Sequence, residues 1–263
     1  MLKKAVKYII ARRAQRDVVP LKNLIYLGSV NHGYTIPANY LSRNSVCYCV
    51  GAGTDISLDV EVATKFKSRV FIFDPMPYAL AHFNGLVASA SQGEAFAADN
   101  NPKGYVYTAS AEELAAITYC PIGVWNEKKL IRFYSPARDN YAGHSITNLQ
   151  HTAQYIEAPV DTLANSMRAL GHQQLDLLKI EIEGSEYTVI DNVIADKLAI
   201  KMILVEFDEF HHRKGLARLA AIRHIEQSSQ KLFGAGYKLV HSTSFYKRTF
   251  VRADVVQELQ SQE

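Results

Sequence analysis

Lys179, Glu181 and Glu183 fall on one face of an apolar run. In Leu175-Asp176-Leu177-Leu178-Lys179-Ile180-Glu181-Ile182-Glu183-Gly184-Ser185-Glu186, strand alternation sets these three charges opposite Leu178, Ile180 and Ile182. A buried ammonium is costly unless paired, and Glu181 is the natural partner for Lys179. Charges at a strand's carboxyl end suit an active site, where Glu181 would serve as base or orienter; they also suit a structural network. A second apolar run ends in Glu206-Phe207-Asp208-Glu209-Phe210-His211-His212. His211 or His212 is a candidate proton acceptor there, weighed against a solvated loop histidine. The polar segment 140–148 adds His144, a candidate base or substrate contact, weighed against a surface histidine. A divalent cation between Glu181 and Glu206 is considered and not favoured. Two carboxylates alone make a poor oxygen site, and Asp208 or water would have to complete it. A network of Lys179 with the carboxylates is the competing reading.

Val50-Gly51-Ala52-Gly53-Thr54-Asp55 could cradle a ligand. A glycine directly after a buried strand permits a tight turn, and a second lets a ligand lie against the backbone. The third glycine of a dinucleotide pattern is absent, since Asp55 stands near its place. A carboxylate there repels phosphate and suits an amine. Asp74 follows the next strand-like run at the separation from which a carboxylate accepts bonds from ribose hydroxyls. A nucleoside carrying an amine and no phosphate points to S-adenosylmethionine rather than a nicotinamide dinucleotide.

These residues need elements to position them. Val46 to Val50, Arg69 to Phe73, Leu175 to Ile182 and Ile200 to Phe207 read as buried strands. Asp55 to Phe66, Tyr78 to Ala90 (with a break allowed at Asn84-Gly85), Val160 to Leu170, Ser185 to Ile194 with Ser185 as N-cap, and Leu216 to Phe233 read as helices. Ala115 to Tyr119 and Lys129 to Tyr134 read as an antiparallel pair turning at Trp125-Asn126-Glu127, where Trp125 packs the turn or stacks on adenine. Tyr237 to Val240 and Arg248 to Arg252 read as a closing antiparallel pair. The alternation predicts an α/β fold with a mostly parallel twisted sheet, helices on both faces and an antiparallel edge. Ligands then bind beyond the carboxyl ends of the strands.

Composition sets outer limits. The chain has 263 residues, 48% hydrophobic and 21% charged, which excludes a disordered chain. A net charge of +3 does not argue for nucleic acid. Cys47, Cys49 and Cys120 form neither a disulfide framework nor a zinc pattern, so a cytoplasmic location is expected. The basic N-terminus, Lys3 to Arg16, lacks the apolar core of a secretory signal and reads as an amphipathic capping helix. Its contact with a membrane surface is considered and not favoured.

L-D-L-L-K-I-E-I-E-G-S-E resembles the signature segment of FkbM-type methyltransferases, which reads close to L-K-I-D-x-E-G-x-E. V-G-A-G-T-D and F-I-F-D-P-M-P resemble that family's cofactor-binding turn and ribose-binding strand end; I-L-V-E-F-D and T-F-V-R are similar too. The resemblance spans roughly residues 45–252. It implies a Rossmann-like class I fold and S-adenosylmethionine-dependent methylation, usually of a hydroxyl on a sugar or other small natural product. Cofactor contacts are then expected from Gly51, Ala52, Gly53, Asp55 and Asp74, and catalysis from Glu181, His211 and His144. Departures are Cys49 where members carry an acid, Gly53 for Asn, Asp55 for Gly and Glu181 for Asp. Asp55 is the candidate to hold the methionine amine. The expected layout is a basic helical extension over 1–44, a methyltransferase domain over 45–252 with an inserted hairpin and loop near 105–150, and a polar tail over 253–263. The partner is a small hydroxyl acceptor, with no nucleic acid. N-methylation and cofactor binding without transfer are the alternatives.

Overall fold

The computed structural model describes residues 12–262 apart from 102, 138–142 and 149. Most of the expected basic helix lies outside the described residues; residues 12–15 are helical. The longer elements, in order, are β1 (Leu24–Leu27), β2 (Tyr34–Pro37), β3 (Val46–Val50), α1 (Ser57–Phe66), β4 (Arg69–Phe73), α2 (Pro77–Gln92), β5 (Ile117–Cys120), β6 (Lys129–Tyr134) and β7 (Tyr155–Asp161). They continue with α3 (Leu163–Ala169), β8 (Leu177–Ile180), α4 (Glu186–Ala195), β9 (Met202–Glu206), α5 (Gly215–Gly234), β10 (Tyr237–Ser242), β11 (Lys247–Arg252) and α6 (Ala253–Ser261).

A seven-stranded sheet orders these strands β10-β11-β9-β8-β3-β4-β5. β5, β4, β3, β8 and β9 are mutually parallel, while β11 runs antiparallel to both β9 and β10. The reversed strand is therefore one in from the edge, and the outermost strand β10 points with the parallel set. β3 is buried along its whole length. Its alternation splits the core: Cys47 and Cys49 pack with Leu58, Val62, Ala79 and Val255 on one face. Val46, Tyr48 and Val50 pack with Leu163, Val189, Ile225 and Leu232 on the other. Helices on both faces explain why the central strands read as continuous apolar runs.

Several expectations change. Residues 24–37, placed within a helical extension, form a β-hairpin with Leu24 opposite Pro37 and Leu27 opposite Tyr34. β5 and β6 do not pair: β5 edges the main sheet beside β4, and β6 pairs antiparallel with β7 in a separate sheet. The helix expected from Val160 begins only at Leu163. Thr162 caps it by accepting from Asn165 N–H at 3.1 Å, and the residues before it are β7. α2 runs unbroken through Asn84-Gly85. The polar tail is α6, whose Val255 and Val256 enter the core. Ser185 stands at the N-cap of α4 but makes no side-chain cap bond. No described helix is long and apolar enough to cross a membrane.

Candidate active site

The chain leaves β3 for β4 on one side and later returns to β8 on the other, so the sheet order reverses between β3 and β8. The crevice beyond such a switch point is where α/β sheets bind ligands. Gly51 follows β3 with φ +89°, and a Cβ built there would lie 1.8 Å from the Glu181 carbonyl oxygen. Glycine at this position lets the two strand ends approach. Gly51 N–H donates to Phe73 O at 2.9 Å, and its carbonyl accepts from Lys179 Nζ at 2.7 Å. Lys179, 2% exposed, also lies 3.5 Å from Glu181 and 3.8 Å from the buried Asp59. Burial alone would lower its pKa, but the charges of Asp59 and Glu181 hold it above the ordinary value. Lys179 is a charged pin beneath the glycine turn. Gly53, at φ +54°, has nothing within 4 Å of a built Cβ, so its outer face is open.

Asp74 lies under this turn. Its Oδ2 accepts from Ala52 N–H at 2.9 Å and Gly53 N–H at 3.1 Å, and its Oδ1 accepts from Met76 N–H at 2.9 Å. Burial pushes its pKa up against the pull of these amides. A carboxylate has about four acceptor directions. Three are used, so Asp74 has room for one ligand hydroxyl rather than the ribose pair. Asp55 turns its Oδ1 to Ser57 N–H at 2.9 Å and so fixes the start of α1.

Glu181 sits just past β8, with Oε1 2.8 Å from His32 Nδ1, Oε2 3.5 Å from Lys179 and Lys247 4.0 Å away. Burial would raise its pKa, but Lys247, Lys179 and His32 hold it well below the ordinary value. A carboxylate so held is a poor proton acceptor, and its chemistry here is to orient. Lys247, on β11, forms an ion pair with Glu206 Oε2 at 2.6 Å and donates to Asn31 O at 2.7 Å. Its ammonium stands between Glu181 and Glu206, where a divalent cation was considered from the sequence and not favoured.

The turn 181–185 has its own support. Glu186 Oε1 accepts from Ile182 N–H at 3.1 Å and Gly184 N–H at 2.9 Å, and Asp208 Oδ2 accepts from Glu183 N–H at 3.0 Å. Burial raises the pKa of both carboxyls, Glu186 to about 8, and neighbouring acids raise Asp208 further. The two histidines diverge: His211 Nε2 is 3.2 Å from Glu206 Oε1, and His212 Nε2 is 3.2 Å from Glu183 Oε2. Glu206, Asp208 and His211 place three ligand-type atoms within 4.8 Å of one another. The Lys247 ammonium already supplies positive charge to Glu206. His144 lies on another loop, its ring 5.3 Å from that of Tyr78 and its Nε2 3.3 Å from Ser135 Oγ. That loop reaches the turn through Ser145 Oγ, which donates to Glu183 O at 2.7 Å. Trp125 packs against the core.

The structure thus brings Gly51, Ala52, Gly53, Asp74, Glu181, Glu206 and His211 to one end of the sheet. Sequence reasoning missed His32 and Lys247. The hairpin carrying His32 had a signal, two β-forming runs, L-I-Y-L and Y-T-I, bounded by Gly28 and Gly33. Lys247 had none apart from its place next to a strand.

Residues 18–239 match the family described as Methyltransferase FkbM domain. The chain belongs to the FkbM methyltransferase family. The match takes in the β1–β2 hairpin as well as β3, β4, β5, β8 and β9 of the main sheet. The glycine turn, Asp74 and the Lys179–Glu181 pair all lie within the matched residues. No curated protein matches the chain.

Proposed function

We propose that this FkbM methyltransferase uses S-adenosylmethionine to methylate a hydroxyl on a sugar or another small natural product. The observation that carries the reading is the open backbone face at Gly53, set over Asp74 at the switch point. The sheet, parallel apart from β11 and covered on both sides, supports a Rossmann-like class I arrangement. The donor set fits the cofactor. The Gly51–Gly53 backbone would lie against it, Asp74 has capacity for one ribose hydroxyl, and Asp55 offers a carboxylate towards the amine. The acidic surroundings disfavour a phosphate there. When bound, S-adenosylmethionine supplies an electrophilic methyl group. The chain's own task is to align the acceptor oxygen, exclude water and provide for its proton. Lys179 and Lys247 fix the strand ends that define this geometry, and Glu181 orients. The free thiols Cys47, Cys49 and Cys120 suit a reducing cytoplasm.

The test is incubation with methyl-labelled S-adenosylmethionine and a panel of sugars, phenols, alcohols and amines. Label on a hydroxyl acceptor supports the reading. Label only on amines would replace it with N-methylation, and cofactor binding with no transfer to any acceptor would favour a binding role.

A further inference from the structure

His32 sits on the β1–β2 turn, where no motif pointed. Its Nδ1 is 2.8 Å from Glu181 Oε1, and the side chain remains 39% exposed. A substrate can therefore reach the imidazole. The turn is fastened on three sides. Asn31 O accepts from Lys247 Nζ at 2.7 Å, Ser29 N–H donates to Ser57 Oγ at 2.7 Å, and Gly28 N–H donates to Glu61 Oε2 at 3.1 Å. Gly33 closes the turn with N–H to Ser29 O at 2.8 Å. The ring is thus held at Glu181 past the end of β8, with the carboxylates of Asp55 and Asp99 within 4.8 Å.

Resting on the cofactor reading above, we propose that His32 takes the proton of the acceptor hydroxyl during methyl transfer, with Glu181 as its orienting carboxylate. Nδ1–H donates to Glu181, which leaves the Nε2 lone pair as the accepting atom in the neutral ring. The acceptor oxygen bonds to the methyl carbon, and the sulfur–carbon bond breaks with its electron pair left on sulfur. The hydroxyl proton moves to Nε2, and the resulting imidazolium is paired with Glu181 until it returns the proton to solvent. His211 and His144 are placed differently: the first faces Glu206 and the second Ser135.

The charges facing His32 come from several elements: Glu181 and Lys179 from β8 and its end, Asp55 before α1, and Asp99, whose carboxylate lies within 4.8 Å of a ring nitrogen. Lys247 reaches the same Glu181 from β11. Burial would lower the histidine's pKa, but the bond and charge of Glu181, with Asp55, raise it to about 9 against Lys179. The resting ring is charged. A sulfonium nearby disfavours that charge and moves the ring towards its accepting form, whereas the neutral thioether product does not.

Ring-labelled histidine NMR measures this without an acceptor. His32 is assigned through His32→Asn and titrated in the free protein, with S-adenosylhomocysteine and with S-adenosylmethionine. The expected result is a titration in the S-adenosylmethionine complex at least about one pH unit below that in the S-adenosylhomocysteine complex. Glu181→Gln should bring the free-protein titration from about 9 to the ordinary histidine value of 6.5 or below. Identical titrations in the two wild-type complexes overturn the proposal, and that comparison needs no variant to fold. Calorimetry on the same samples separates the causes. If neither compound binds, the cofactor reading falls and the proposal with it. If both bind and His32 does not respond, only the role of His32 falls.

Discussion

Gly51 and Gly53 flank Ala52, both at positive φ, and alanine should affect them very differently. A left-handed backbone costs a non-glycine residue about 1–2 kcal/mol. At Gly53 that is the whole penalty, because nothing lies within 4 Å of the new methyl. At Gly51 the methyl would meet the Glu181 carbonyl at 1.8 Å, more than an ångström inside ordinary contact. That carbonyl belongs to backbone anchored by Glu181 N–H on Val50 O at 3.0 Å, so it cannot swing aside cheaply. Overpacking adds about 1–3 kcal/mol, giving a total of about 2–5 kcal/mol for Gly51→Ala against about 1–2 for Gly53→Ala. The larger figure is a substantial part of a typical stability of about 5–15 kcal/mol. Urea denaturation of the two variants beside the wild type measures both. Gly53→Ala should stay folded and lose cofactor affinity, because its methyl fills the open face. A Gly51→Ala protein as stable as Gly53→Ala would refute the view that the two strand ends are in contact through Gly51.

Lys247→Met removes the ammonium between Glu181 and Glu206 and should cost about 3–5 kcal/mol near pH 8, as breaking a buried pair does. The deficit should shrink on acidification. Glu181's depressed pKa gives the wild type a contribution present above the ordinary 4.5 and lost as pH falls below it, whereas the variant's buried carboxylates gain by taking up protons; an equal deficit at pH 3.5 and pH 8 would contradict this. Glu186 has the opposite sign. Its pKa is raised from 4.5 to about 8, so its contribution is complete below 4.5 and is lost as pH rises to about 8. Glu186→Gln, which retains an acceptor for Ile182 and Gly184, should flatten that decline in chemical denaturation, and an unchanged pH slope would count against it.

The parallel strands were legible because they are buried on both faces: Val46 to Val50 and Met202 to Val205 are unbroken apolar runs. β7 was hidden because only Ala158 and Val160 of its seven residues are fully buried and Pro159 interrupts it. Val160, Leu163 and Met167 then mimic a helical stripe across the true boundary at Thr162. The glycine turn, Asp74 and Glu181 could be found because their chemistry lies at strand ends in one stretch of chain. His32 and Lys247 reach Glu181 from 149 and 66 residues away, and no local pattern records such a contact. Lys179 was legible as a paired charge, yet its hydrogen bond to the Gly51 carbonyl depends on the pairing of β8 with β3. Asp74 was assigned to a ligand from its spacing and its motif, neither of which could show that three backbone amides already use it.

Calorimetric titration with S-adenosylmethionine, on the wild type and Asp74→Ala, tests the central claim most directly. The glycine turn over Asp74 predicts saturable one-to-one binding by the wild type. In Asp74→Ala the turn loses the acceptor of its Ala52 and Gly53 amides and the ligand loses one hydroxyl partner, so affinity should fall by about 1–3 kcal/mol. Wild-type protein that is folded by circular dichroism yet gives no binding heat at any temperature, or an Asp74→Ala variant that binds equally well, would contradict the placement of the cofactor on this turn.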